Sequence, residues 1–184
     1  MKSCFAYIDG GSRGNPGTAG YGVVLLDERG NSLAEISEFL GIQTNNYAEY
    51  SALIGALHYA TTHHYDSLRV YADSELLVRQ ILGEYKVRNA NLKRLYDQAQ
   101  SLIRPLKQFS IQHIPREQNQ DADRLANLAM DKAGSANKET QFIIKTVRAV
   151  FRSGCFQPLR TLNLPDGAEF QLTVEPIKNR TKQD

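Results

Sequence analysis

Residues 3–9, SCFAYID, carry apolar side chains on both faces, Phe5 and Tyr7 on one and Ala6 and Ile8 on the other. A strand of that kind needs cover above and below, which places it in the middle of a sheet. It ends on a charge, Asp9, and runs into GGSRGNPG, read here as a glycine-rich loop. Two explanations compete for that join. One is a plain turn; the other is a place where a carboxylate and accessible backbone amides meet a charged ligand.

The rest of the pattern narrows the fold. YGVVLLDERGNSLAEISEFL reads as two strands around the turn DERGN. NNYAEYSALIGALHYATTHH is helical, with Ala48, Leu53, Ile54, Leu57 and Ala60 at three- and four-residue spacing. SLRVYA is a short buried strand, and SELLVRQIL a helix ending at Gly83. A helix over NANLKRLYDQAQSLIRPL, closed by Pro105, a strand QFSIQHI and a helix DADRLANLAMDKA follow. A hairpin meander feeding helix-linked strands implies a mixed sheet with helices against it, an α/β or α+β fold.

A chain of 184 residues has room for one full domain and a small appendage. The small, polar stretch AGSANKET, residues 133–140, is the best linker candidate. The expected organisation is a domain over residues 1–134, a linker over 135–140 and a small β module with a basic tail over 141–184. Hydrophobic residues at 41% and charged residues at 23% fit a folded globular chain and exclude disorder as the default. No segment is long and apolar enough to span a bilayer and no leader is evident at the start, so a cytoplasmic location is expected. Cys4 and Cys155 lie too far apart in sequence to suggest a disulfide framework and lack metal-ligand spacing; both are expected to be buried thiols. The net charge of +2 alone does not point to nucleic acid, and its basic clusters read first as solvated surface.

Four acids stand at element boundaries: Asp9 after the first strand, Glu49 in the first turn of the first helix, Asp73 after VYA and Asp123 opening the last helix. Each has a structural explanation. Asn46 and Glu49 match a capping box, Asp73 precedes a helix, Asp123 complements a helix dipole and Asp9 suits a turn. Together they suggest something else, because loops at the carboxyl ends of adjacent strands converge on one crevice. Two carboxylates about 5 Å apart repel by roughly 3 kcal/mol at an effective dielectric near 20. Four in one pocket need a compensating cation, and all-oxygen ligands suit Mg2+ or Mn2+. Such a pocket can hold two ions, as used for in-line attack on phosphodiesters.

At these residues the sequence resembles the type 1 ribonuclease H family. The matching pieces are YIDGGSRGNPGTAGYG, TNNYAEYSALIGAL, VYADSELLVRQI and HIPREQNQDADRLANLA, in the family's order and over roughly residues 1–133. The flavour is that of the compact branch without a basic protrusion. The resemblance implies a five-stranded mixed sheet flanked by helices and metal-dependent hydrolysis of RNA paired to DNA, leaving a 5′ phosphate and a 3′ hydroxyl. It implies that Asp9, Glu49, Asp73 and Asp123 hold two Mg2+ or Mn2+ ions, with Asp9 shared between them. It also implies substrate contacts from Gly10, Gly11, Asn15, Thr44, Asn45 and Ser74. The glycines would let the backbone approach the RNA minor groove. Thr44 and Asn45 would take a phosphate of the DNA strand, with helix capping as the competing explanation.

The chain departs from the family in places. It has no tryptophan, so the grip on a hybrid is expected to be weaker or differently arranged. PREQNQDAD holds Arg116 where many relatives carry a histidine; Arg116 can steer phosphate but cannot shuttle protons. Glu75 stands where relatives often have a glutamine that contacts substrate. His58, His63 and His64 are better explained by a helix C-terminus than by metal binding, and His113 reads as structural.

The C-terminal stretch FIIKTVRAVFRSGCFQPLRTLNLPDGAEFQLTVEP alternates and turns like a small all-β module, with SG and PDG as its turns. Residues 141–177 resemble a small antitoxin-like β family. Such a short module is expected to dock on the larger domain or to self-associate with another copy, and its basic residues open the option of an added hybrid-binding surface. Two other functions stay in play: another nuclease or strand-transfer protein on the same sheet, and a nucleic-acid-binding or toxin–antitoxin module without catalysis.

Overall fold

The computed structural model describes residues 2–136, 149–152 and 155–158, with side chains through residue 131. The chain divides into two units, residues 1–140 and 141–184.

The first unit is built on a sheet of five strands: β1 (Ser3–Gly14), β2 (Gly17–Leu26), β3 (Ser32–Gln43), β4 (Ser67–Ala72) and β5 (Gln108–His113). Their order is β3-β2-β1-β4-β5, which puts β1 in the centre. β1 runs antiparallel to β2 and parallel to β4, so the sheet is mixed. The helices are α1 (Asn45–Thr62), α2 (Glu75–Ile81), α3 (Ala90–Ile103) and α4 (Gln120–Ala136), the last preceded by a 3-10 turn over Arg116–Gln118. This is the five-stranded, helix-flanked α/β architecture expected from the sequence. α4 runs two residues into the stretch expected as linker.

β1 is longer than expected. The supposed glycine-rich loop is extended chain that stays paired with β2 as far as Gly14↔Gly17. Glycine is a poor strand former, but here its missing side chain makes room for helices. A Cβ on Gly10 would stand 2.2 Å from the carbonyl carbon of Ala48 in α1. A Cβ on Gly11 would meet Met130 of α4 instead. Successive residues of a strand face opposite sides, so α1 and α4 cover the two faces of β1. On β2, Gly22 lets α4 approach just as closely, its missing Cβ lying 2.3 Å from the Ala122 carbonyl oxygen.

Ile8, Val23, Leu25, Leu53, Leu57, Leu68 and Val70 are fully buried between these layers, each side chain contributing about 1.5–3 kcal/mol by leaving water. α1 is buried along much of its length because α3 packs on its other side. Cys4 is buried as expected, and burial pushes its thiol up to about 11.

The second unit contributes one described hairpin, β6 (Ala149–Arg152) paired antiparallel with β7 (Cys155–Pro158). The PDG turn, the other expected strands and the environment of the Cys155 side chain lie outside the described residues, as does the segment expected to self-associate. Among the described residues no helix is long and apolar enough to cross a membrane.

Candidate active site

The register of the two central parallel strands sets the site. β1 and β4 pair up to Ile8↔Ala72, and the next residues along are Asp9 and Asp73. Asp9, still within β1, and Asp73, just past the end of β4, thus stand at the same level on neighbouring strands. Asp9 is held on its other side by pairing with Gly22 of β2.

Glu49 comes to this point on α1, which starts from a Thr44 N-cap whose hydroxyl accepts from the Tyr47 amide at 3.3 Å. The cap is Thr44, not the Asn46–Glu49 box that the spacing suggested, and that leaves Glu49 free to face inward. Asn45 Nδ2 donates to Glu49 Oε1 at 3.4 Å, while Glu49 Oε2 is buried without a hydrogen-bond partner. Ser74, not Asp73, caps α2, accepting from the Leu77 amide at 3.4 Å. Asp123 sits in the first turn of α4, where its amide donates to the Asn119 carbonyl at 3.0 Å. Asn127 Nδ2 donates to Asp123 Oδ2 at 3.0 Å, and Arg116 Nη2 donates to Asp123 Oδ1.

The four acids feel one another. Burial, then the charges of Asp73 and Asp123, push Asp9 up to about 7, against the opposing pull of Arg116 and the Gly10 amide. Burial, then Asp9 and Asp73, raise Glu49 well above the usual carboxylate range. Arg116 is driven further toward its charged form by its bond to Asp123.

Mutual influence is not a finished ligand shell. Among the described residues no three His, Cys, Asp or Glu side chains are gathered tightly enough to hold an ion as they stand. The electrostatic coupling reaches further than coordination does. Asp123 leans on Arg116 and Asn127, and Asp73 on Asn119. The donor set still fits a hard divalent cation: oxygen ligands only, one buried carboxylate oxygen with no partner, and two acids pushed toward protonation by burial first and neighbouring carboxylates second.

The remaining expected contacts fall into two places. At the tip of the β1–β2 hairpin, Asn15 Oδ1 accepts from the Asn45 amide at 3.3 Å, which ties Asn15 to Thr44 and Asn45 at the start of α1. Arg116 and Asp123, with Glu117 and Gln120, line a hollow of about 260 Å3 beside the acids. A larger cavity of about 550 Å3, lined by Tyr21, Ile36, Tyr47, Ile54, His58 and Tyr59 among others, lies under α1 and holds none of the four acids. The smaller hollow is therefore the one that matters for chemistry at the carboxylates. Glu75 is engaged by Arg79, which donates through Nε at 2.9 Å and Nη2 at 2.6 Å.

Sequence reasoning missed one residue. Asn119 is 1% exposed, and its Nδ2 donates to the Ile8 carbonyl at 2.9 Å and to Asp73 Oδ1 at 3.0 Å. Its place just before α4, four residues ahead of Asp123, was the only signal, and it looks like an ordinary cap.

Comparison with known proteins agrees with this fold. A family profile described as reverse transcriptase-like matches residues 7–129, and one described as AF2212-like matches residues 144–183. Ribonuclease HI of Halobacterium salinarum is 42% identical over 128 residues, covering 70% of this chain and 64% of that protein. The N-terminal RNase H domain of Rv2228c from Mycobacterium tuberculosis superposes with a TM-score of 0.69 at 43% identity, covering 70% of this chain and 99% of that one. LC11-RNase H1, isolated from compost and solved in complex with an RNA/DNA hybrid, gives a TM-score of 0.66 at 45% identity, covering 71% of this chain and 98% of that one. The chain spans 64% of the Halobacterium protein and 35% of the whole bifunctional protein Rv2228c. By its strand order, by the register that brings Asp9 beside Asp73, and by these matches, the chain belongs to the reverse transcriptase-like family with a ribonuclease H fold, and it is similar over that domain to type 1 ribonucleases H.

Proposed function

We propose that this chain is an endoribonuclease that hydrolyses the RNA strand of RNA/DNA hybrids, leaving 5′-phosphate and 3′-hydroxyl ends, with Asp9, Glu49, Asp73 and Asp123 holding two Mg2+ or Mn2+ ions. The observation that carries this reading is the buried, unpartnered Oε2 of Glu49 in the field of Asp9 and Asp73, an arrangement whose charged form is costly until a proton or a cation completes it, and whose oxygen donors suit a hard divalent ion. Bound there, divalent ions supply charge neutralisation at the scissile phosphate and make water a competent nucleophile near neutral pH.

The side chains supply the rest. Asp9, fixed by strands on both sides, gives the site its rigid reference point. Glu49 and Asp123 approach it from helices on opposite faces of the sheet, so the acids surround the reacting phosphate instead of lining up on one side. Arg116, outermost of the group, offers a guanidinium to a phosphate oxygen. Gly10 and Gly11 would offer main-chain groups to a sugar of the RNA strand, the space beside each Cα being taken by α1 or α4. Asn15, Thr44 and Asn45 form a polar corner suited to a phosphate of the DNA strand, and Ser74 adds a hydroxyl beside Asp73. No nucleophilic side chain is needed.

The test uses labelled RNA/DNA hybrid, single-stranded RNA, double-stranded RNA and double-stranded DNA, each with Mg2+, Mn2+ or EDTA. Cleavage of the hybrid that disappears in EDTA and in Asp73→Asn is the expected result. Cutting of double-stranded DNA would instead place the chain among the other nucleases of this fold.

A further inference from the structure

We propose that Asn119 is a positioning residue of the carboxylate site, whose carboxamide holds Asp73 in register with Asp9 and whose main chain sets Asp123 against both. The proposal rests on the reading of these acids as ion ligands.

Three bonds from one residue carry it. The two hydrogens of Nδ2 go to the Ile8 carbonyl, one residue before Asp9, and to Asp73 Oδ1. The main-chain carbonyl receives the Asp123 amide. Asn119 thus touches β1 one residue before Asp9, the residue that follows β4, and the first turn of α4, at three of the four acids. Its amide orientation follows from its partners, because the reverse orientation would set an oxygen against two acceptors.

The bonding is too specific to be mere filling. Asn119 is almost wholly buried, and its Oδ1 has no hydrogen-bond partner. A buried amide that leaves an acceptor unmet is a poor choice for stability alone. What it provides is a fixed Oδ1 on Asp73, which leaves the other oxygen of that carboxylate for a ligand. Groups that orient an ion's ligands typically change ion affinity by about 10–100-fold when they are lost.

The decisive measurement is Mn2+ binding to the full chain without nucleic acid, by electron paramagnetic resonance of free ion, below the unfolding transition. Asn119→Asp keeps the shape but turns both donors into acceptors facing Ile8 and Asp73. Asn119→Ser removes both amide donors, leaving a shorter hydroxyl that cannot bond Ile8 and Asp73 together, without adding charge. Val70→Ala weakens the core away from these bonds and serves as the control. Mn2+ affinity is expected to fall about 10–100-fold in Asn119→Asp and several-fold in Asn119→Ser, with Val70→Ala unchanged. A double variant with Asp73→Asn is expected to recover part of the thermal stability lost in Asn119→Asp, since donor and acceptor are then exchanged. Folded Asn119 variants that bind Mn2+ within two-fold of the parent would overturn the proposal and leave Asn119 a packing residue. If Asn119→Asp does not fold, Asn119→Ser decides the matter by the same criterion. Because no hybrid is present, a parent chain that binds Mn2+ but fails to cut hybrid would sink the proposed function without touching this inference.

Discussion

Arg116 is bonded to Asp123, an exposed cation against a carboxylate of the site. It also lowers the proton affinity of Asp9 and Glu49 from a distance. The guanidinium therefore acts as a built-in partial counter-charge to the four acids, and under the proposed function a divalent ion would share Asp123 with it.

Arg116→Gln removes that competitor. Mg2+ affinity is expected to rise a few-fold, measured calorimetrically, while stability in EDTA at neutral pH falls slightly because the acids lose their nearby positive charge. Weaker ion binding in this variant would mean that Arg116 helps to assemble the site.

Acidity and stability are linked through Asp9. Its folded value of about 7 lies above the ordinary 3.8, so between those pH values the folded chain keeps a proton that the unfolded chain has released. Stability of the ion-free protein is then fullest below about pH 4 as far as Asp9 is concerned, and declines as pH rises to about 7. Glu49 acts in the same direction. Thermal melts in EDTA from pH 4.5 to 7.5 are expected to show that decline, reduced in Asp9→Asn and offset by added Mg2+. A flat profile in the parent would contradict the burial of Asp9.

Glu49→Gln separates stability from function. Removing a buried charge with an unpartnered oxygen is expected to stabilise the ion-free chain by about 1–3 kcal/mol, a rise of several degrees in Tm. The same change should abolish the stabilisation that Mg2+ gives to the parent. A loss of stability in EDTA would show that Glu49 is better satisfied than its surroundings indicate.

Gly10→Ala tests the closeness of β1 and α1. A Cβ there falls on backbone atoms of Ala48 and Glu49, which cannot swing aside as a side chain can. The expected cost is on the order of 3 kcal/mol in denaturant unfolding, because the helix must lift from the strand. A near-neutral substitution would mean that α1 sits more loosely than the packing implies.

The sequence made much of this readable. The doubly apolar strand ending at Asp9, and the acids at the ends of VYA and the last helix, mark the site because strand ends in such sheets face one crevice. What stayed hidden depended on contacts across the chain. The extension of β1 through its glycines shows only when β2 lies alongside, since glycine by itself favours a loop. Thr44 caps α1, one of the two explanations the sequence offers for it, instead of the Asn46–Glu49 box, and Ser74 caps α2 instead of Asp73, shifts of one or two positions that propensity does not resolve. Asn119 was hidden for a stronger reason: its partners, Ile8 and Asp73, stand 111 and 46 residues away in sequence.

β1 continues to Gly14, while its pairing with β4 stops at Ile8. Among the described residues no strand lies against that edge of β1 past Asp9, so a ledge of peptide groups is left beside the acids. A polymer resting on the ledge would meet main chain, which has the same chemistry whatever bases the polymer carries. Under the proposed function, contact of that edge with a sugar–phosphate backbone would make binding indifferent to base sequence, a consequence of the unequal lengths of two neighbouring strands.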